Sequence, residues 1–446
     1  MNLQTLQGLY SSDVRLKELA AAFSLPDPKQ SILLQNLKAN AVGFVAHSIW
    51  EQSELNHIFI LDDKDEAAYF HNDFEHLSGA LDIFFFPDSY KKTGVYTDVN
   101  SSHVMLRTEA LNKWSGEQVR KKVMVTYPEA LFEKVVQAKT LSKNMIQIAV
   151  NNHLDVKGIL TRLVALGFRH EDFVYEPGQF AMRGGILDIY SFGNEHPYRI
   201  ELFGNEVDSI RIFNPETQLS ERKLLQVSIL PNIETRFEAK EKVSLLDFVP
   251  ANTVFWFKDK DIFLGKLAHY EDKLLELLAI NEGVLEQRGE DDDEPKLLTA
   301  EDFESATSWK GRINDFHQVQ FSNTEGKETA ADATISFRTE PQPSFNRNFD
   351  LLSANLRKWS EQHYTAYIFA ENAKQLERLR VIFEDTNASV SFVPVPVSIS
   401  NGFIDHDKKV LVYTDHQIFQ RFYKYKIKQA YRKGKANTIK SLRELQ

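Results

Sequence analysis

The sequence predicts a multidomain protein of α/β and α+β type. Three observations carry this expectation. Over the first 143 residues, short apolar segments alternate with helix-length ones, the pattern of a parallel sheet covered by helices. From Asn144 the pattern becomes strands with every second residue apolar, joined by tight turns, as in an antiparallel sheet. From about residue 346 the strand–helix alternation returns. The length of 446 residues accommodates this, since a domain takes roughly 150 residues.

In residues 1–143, Ser31–Leu37, His57–Leu61, Asp82–Pro87 and Lys122–Tyr127 read as short buried strands, with helices such as Glu66–Leu77 and His103–Trp114 between them. Residues 144–215 form a compact α+β module. Ile146, Ile148 and Val150 alternate along one half-buried strand. Asp155 can cap a helix carrying Ile159, Leu160, Leu163 and Val164 on one stripe, and Gly167 stands where that helix stops. Three strands follow, at Gln179–Phe192, Pro197–Phe203 and Glu206–Phe213, with Gly204-Asn205 as a hairpin turn. In the middle one Tyr198, Ile200 and Leu202 share a face opposite Arg199 and Glu201.

Residues 216–345 are less regular. Val254–Phe257 reads as a buried strand, Ile262–Asn281 as an amphipathic helix and the acidic run Glu290–Glu294 before Pro295 as a solvated loop. Gln318–Phe321 and Thr334–Phe337 are strands expected to return to the first sheet, and Pro341–Phe345 is a connector. Residues 346–420 form a small α/β domain, with helices Asp350–Gln362 and Asn372–Glu384 and strands Thr365–Ala370, Val390–Val397 and Lys409–Thr414. Residues 421–446 are a basic helical connector.

Composition excludes several classes. The hydrophobic fraction is 42% and the charged fraction 26%, so the chain is neither disordered nor collagen-like. With no cysteine there is no disulfide framework, no thiolate zinc site and no cysteine nucleophile. No apolar run reaches the length of a membrane span, and the first residues lack the features of a signal peptide, which points to the cytoplasm and to no membrane partner. The net charge is −10, but residues 421–446 hold nine Lys/Arg against the single acid Glu444, leaving the preceding body at about −18. An acidic body does not suit general nucleic-acid binding, which needs clustered cations; only the tail has that character.

The motifs of common catalysts are missing. There is no G-x-x-x-x-G-K-[ST], H-E-x-x-H, G-x-S-x-G or G-x-G-x-x-G. Gly434-Lys435 is followed by Ala436, so it is not a phosphate cradle, and His71 and His76 lack the spacing and support of metal ligands. No metal site is expected.

The most informative stretch is Gly178-Gln-Phe-Ala-Met-Arg-Gly-Gly-Ile-Leu-Asp-Ile-Tyr190, followed by Pro197-Tyr-Arg-Ile-Glu-Leu-Phe-Gly-Asn-Glu-Val-Asp-Ser-Ile-Arg-Ile-Phe213. Together they resemble the UvrB-homology module of the bacterial transcription-repair coupling factors, the Mfd family. UvrB, the excision-repair helicase, carries a related pattern. Weaker similarity covers Asp27–Lys134, including Phe86-Pro-Asp88 and Thr126-Tyr-Pro-Glu-Ala-Leu131, and Phe369–Thr414.

The resemblance implies a degenerate helicase-like, P-loop-type parallel-sheet domain, split into two parts by an inserted UvrB-like antiparallel module and followed by the small α/β domain. It also implies that the chain stops before the family's polymerase-interaction domain and translocase motor. RNA polymerase, DNA, ATP and Mg would then be bound by parts of the parent absent here. Aligned on UvrB, the phosphate loop falls on Asn36-Leu-Lys-Ala-Asn-Ala-Val-Gly43, with Lys38 and Asn40 inside it. Val42 stands at the lysine position and Gly43 at the hydroxyl position. The β/γ-phosphates lose their cation and magnesium its ligand, so this chain is expected to need no cofactor and to hydrolyse no ATP.

The partner implied for the module is UvrA. Arg169 and Arg183 carry over as its contacts, since arginine presents bidentate donors to carboxylates. Phe180 and Tyr190 are aromatic anchors beside them. UvrB has a further arginine where this chain has Ala181. Each position has another reading from its residue type alone. Arg183 can pair with Asp188 or Glu201 across the sheet, and Phe180 and Tyr190 can fill the core. Gly184 and Gly185 serve backbone geometry. Three functions therefore compete: a non-catalytic adaptor that recruits UvrA, a helicase-related nucleic-acid binder acting through its basic tail and, third, a nucleotide-binding enzyme with an unusual loop.

Overall fold

The computed structural model describes residues 2–25, 28–80, 83–89, 100–116, 121–233, 237–285, 299–321, 331–385 and 390–425. The acidic run Glu290–Glu294 and the basic tail beyond Tyr425 lie outside these residues, as does Asp82 at the start of one expected strand.

The chain opens with two helices that the sequence reading does not assign, Asn2–Ser11 and Val14–Phe23. They bury Leu6, Tyr10, Leu16, Leu19 and Phe23 in the main core. Four strands follow: β1 (Ser31–Gln35), β2 (Asn56–Ile60), β3 (Ile83–Phe85) and β4 (Val123–Thr126). Their centres are buried on both faces, as in a parallel sheet covered by helices. The helix Lys64–Ser78 starts where the Asp63 carboxylate accepts from Glu66 N–H and stops at Gly79, whose φ of +60° favours glycine. Adjacent lysines close two other helices. Lys121 Nζ donates to the carbonyls of Trp50, Glu51 and Ser53, and Lys122 Nζ to those of Trp114 and Gly116.

The chain then leaves this sheet. β5 (Val135–Val136) and β6 (Ile146–Ala149) lead into the helix Val156–Ala165 and an antiparallel-dominated sheet. Its strands are β7 (Arg169–His170), β8 (Gln179–Arg183), β9 (Ile186–Ile189), β10 (Tyr198–Phe203), β11 (Glu206–Phe213) and β12 (Ser220–Leu224). Spatial order runs β12-β11-β10-β9-β8-β7, with only the short β7–β8 pairing parallel. β13 (Gln226–Ile229) returns antiparallel to β6, and β14 (Lys242–Val243) antiparallel to β5.

Two expectations need correction here. Gln179–Phe192 is a hairpin, not one strand. Gly184 turns it with φ +59°, and a Cβ on Gly185 would sit 2.8 Å from the Leu202 carbonyl oxygen. Val164, placed on the buried stripe, is 60% exposed, while Leu163 beside it is buried under the sheet. The sheet also continues past Phe213 into β12, whose residues are nearly all exposed and so carry no burial period.

β15 (Thr253–Phe257), β16 (His317–Gln320) and β17 (Ala333–Ser336) complete the first sheet in the order β17-β1-β16-β15-β2-β4-β3. Every pairing is parallel. The antiparallel module is thus an insertion between β4 and β15. At the sheet's centre Trp256 Nε1 donates to His57 Nδ1 at 3.0 Å. Burial pushes the His57 imidazole down to about 3.

A third sheet uses β18 (Thr339–Pro341), β19 (Thr365–Phe369), β20 (Val393–Val395), β21 (Phe403–Asp405) and β22 (Val410–Thr414), in the order β18-β21-β22-β19-β20. The segment read as a connector thus begins in an edge strand. One face packs on helices Phe349–Glu361 and Ala373–Asp385 through Leu352, Leu356, Leu376 and Leu379. The other joins the main core through Phe369, Val395, Phe403 and Val412.

Candidate partner interface and the degenerate nucleotide loop

The loop between β1 and the helix Ala41–Gln52 occupies the position of a phosphate cradle, but it is filled by protein. Asn36 and Ala39 have positive φ, bending the chain into the helix. Lys38 N–H donates to Thr339 Oγ1 at 2.8 Å, and that hydroxyl donates to the Asn36 carbonyl at 2.7 Å. Asn40 is buried and donates through Nδ2 to Asp73 Oδ2 at 3.0 Å. A Cβ on Gly43 would meet Asn40 Oδ1 at 2.6 Å, so a side chain at this position requires the buried Asn40 amide to shift. Val42 is half-buried. Next to Gly43, Phe44 packs against Phe369 and Phe403 of the third sheet, with ring centroids 6.1 and 5.5 Å away.

Asp73 anchors this closure. Ser400 donates to it from its N–H at 2.9 Å and its Oγ at 2.5 Å, and Tyr423 donates at 3.1 Å. Burial pushes the carboxyl up to about 7, against these hydrogen bonds, which favour the ionised form. The N-terminus of the helix Ala41–Gln52 thus faces the Asp73 carboxyl and the third sheet.

The module's edge is different. β7 places Arg169 in solvent, its N–H fixed to the Gly178 carbonyl at 2.8 Å. β8 ends at Arg183, whose side chain is 34% exposed. Its guanidinium donates through Nη2 to Asp188 Oδ2 at 2.5 Å and through Nη1 to the Asp172 carbonyl at 3.2 Å. It also lies 4.4 Å from the ring centre of Phe173, a cation–π arrangement. Asp188 is fully buried and takes two further hydrogen bonds from Arg199, at 2.8 and 2.9 Å. Arg169, Phe173 and Tyr175 line a shallow cleft of about 370 Å³ beside this cluster, with Glu171, Asp172 and Glu176 at its acidic side.

The structure places Arg169 and Arg183 on adjoining strands but at opposite ends of β8, with Arg169 beside Gln179 at its start and Arg183 at its close. It removes the two aromatic anchors. Phe180 is 2% exposed, against the His170 ring, and Tyr190 is wholly buried with its hydroxyl on the Glu195 carbonyl. Both sit inside because strand alternation points them into the packed faces of the sheet, so they shape the fold rather than a contact surface. Ala181 is buried too, so an arginine there would have to displace packed neighbours. The aromatic that does meet solvent beside Arg183 is Phe173, 48% exposed. The sequence reading missed it because it lies in an irregular segment between β7 and β8. Asp188 emerges as the partner of Arg183, while Glu201 pairs with Arg211 and Ser209. Among the described residues no cluster of three His, Asp or Glu could hold a metal, and no helix is long and apolar enough to cross a membrane.

Residues 146–234, which span this module from β6 through β13, match the family model of the UvrB interaction domain. The transcription-repair-coupling factor of Borreliella burgdorferi is 24% identical over 81% of this chain, and that of Bacillus subtilis 23% over 76%. The protein of the same name from Escherichia coli is 30% identical over 109 residues, 24% of this chain and 10% of its own length. Most of this chain is similar to the transcription-repair-coupling factors. It spans about a third of the length of the Borreliella and Bacillus proteins, 33% and 34%. The similarity to these proteins reaches well beyond the module into the split parallel sheet, whereas the match to the UvrB interaction domain is confined to the module.

Proposed function

We propose that this chain is a non-catalytic adaptor that recruits UvrA in transcription-coupled nucleotide excision repair. The observation that carries the reading is that Arg169 and Arg183 both reach solvent on the adjoining strands β7 and β8 of a module matching the UvrB interaction domain. Two guanidinium groups on ordered strands suit acidic side chains of a protein partner. The filled loop at Asn36–Gly43 supports a chain that binds no nucleotide. Contact with RNA polymerase, translocation on DNA, and the use of ATP and Mg belong, in this reading, to the remaining length of the family proteins, and the setting is the cytoplasm.

Binding of purified UvrA to the chain, beside Arg169→Ala and Arg183→Ala variants, tests the reading. Each variant is expected to keep its circular dichroism and to lose roughly tenfold or more in affinity, about 1.4 kcal/mol or more. Parent and variants binding alike would remove the site. No binding by the parent would remove the function.

A further inference from the structure

We propose that Asp188 is the positioning residue of this interface, holding the Arg183 guanidinium in one orientation before a partner arrives. The inference rests on the reading of Arg183 as a contact residue and adds how the site is made ready. Asp188 lies on β9, directly opposite Arg199 on β10 and Ala181 on β8. Its side chain is fully buried, while Arg183 reaches it from the strand end and remains 34% exposed.

The distribution of hydrogen bonds decides whether this pair quenches Arg183 or prepares it. Arg199 is the inner cation, 15% exposed, and engages both carboxylate oxygens through Nε and Nη2. Its guanidinium also lies over Phe213 at 4.3 Å and donates to the Gln218 carbonyl at 3.0 Å. The charge of Asp188 is therefore balanced from inside the module. Arg183 adds one hydrogen bond to an oxygen already paired, so the group of three keeps a net positive charge at its outer end. The Asp172 carbonyl and the Phe173 ring fix the rest of the plane. A flexible arginine loses rotamer freedom when a partner orders it; one already held loses less, and the difference appears as affinity. A small residue at 173 would release one side of this clamp.

The test uses the full chain and two readouts. In arginine side-chain NMR, a guanidinium held by an ion pair shows hindered rotation and separate Nη signals. Arg183 is expected to show them in the parent and to lose them in Asp188→Asn. UvrA affinity is expected to fall about tenfold in Asp188→Asn. In an Arg183→Ala background the same change is expected to cost less than about twofold, because its effect passes through Arg183. A merely structural role would cost the same in both backgrounds, with a matching loss of thermal stability, and would overturn the proposal. So would unchanged Arg183 signals in Asp188→Asn. Phe173→Ala, on the surface and no threat to folding, is expected to speed the same rotation. If the parent fails to bind UvrA, the functional reading falls while the NMR result still decides the positioning role.

Discussion

The loop at Asn36–Gly43 and the module edge at Arg169–Arg183 both present polar groups at element ends, and they treat those groups in opposite ways. In the loop every polar group named above is answered from within the chain: Lys38 N–H by Thr339, Asn40 by Asp73, and Asp73 in turn by Ser400 and Tyr423. At the edge Arg183 is held by Asp188 and Asp172 yet stays a third exposed, and Arg169 stands in solvent. Polar groups satisfied internally have become structure. Polar groups held in place but left accessible remain able to bind.

The comparison can be broken most strongly at Phe44, which ties the loop's helix to the third sheet. Phe44→Ala is expected to destabilise the chain by about 3–5 kcal/mol in denaturant unfolding, as large-to-small core changes do. A cost under about 1 kcal/mol would mean that the loop is not packed shut. At the edge, Arg169→Glu should weaken UvrA binding by about 2 kcal/mol and leave the unfolding midpoint within experimental error, since no buried group depends on it.

Placing a lysine and a hydroxyl in the loop sharpens the contrast. The double change Val42→Lys/Gly43→Thr rewrites the cation and hydroxyl positions of the loop, yet no ATP binding is expected by titration calorimetry. The added Cβ at 43 meets Asn40 at 2.6 Å, and the change should cost about 1–3 kcal/mol in stability. ATP binding by this variant would show that the missing residues, not the packing, silence the loop.

A pH series distinguishes the regions more finely. Asp73 keeps its proton up to about pH 7 in the folded chain, whereas an unfolded aspartate releases it near about 3.9. Between these values the folded chain binds more protons than the unfolded one, so this group makes stability fall as pH rises. His57 acts in the opposite sense. Buried and neutral down to about 3, it costs stability as pH falls below the value of a free imidazole, about 6.5. The parent minus Asp73→Asn difference in unfolding free energy cancels the histidine contribution. It should decline from pH 4 to pH 7; a flat difference would place Asp73 in a more polar setting than its burial indicates. The smallest effect is expected at the hairpin tip, where Phe203 is 84% exposed and Phe203→Ser should change stability by less than about 0.5 kcal/mol.

Much of this architecture was readable from residue patterns because burial follows period. Tyr198, Ile200 and Leu202 share one face of β10 and Arg199 and Glu201 the other, as their alternation requires. β2, β4 and β15 are buried at every position and mostly apolar because both faces of their sheet are covered. Ser220–Leu224 left no signal because an exposed edge strand has no buried face to mark. The two arginines were visible through the motif around them, but the fate of their aromatic neighbours was not. Whether Phe180 or Phe173 meets solvent is a tertiary fact: Phe180 lies in the core with Leu163 and Phe168, while Phe173 stays 48% exposed. The closure of Asn36–Gly43 is likewise invisible locally, because Thr339, Ser400 and Phe403 lie more than 300 residues away in sequence.

The two ends of the inserted module run side by side, with Ile146 opposite Ile229 and Ala149 opposite Gln226. For the host sheet the whole excursion is therefore the equivalent of a tight turn: its ends are already together, and joining them directly would cost little loop-closure entropy. A unit attached in this way is portable. One exchange event at a single place in the fold could carry it, with its charged edge intact, into or out of an unrelated scaffold, so the lineage of that edge need not be the lineage of the sheet that bears it.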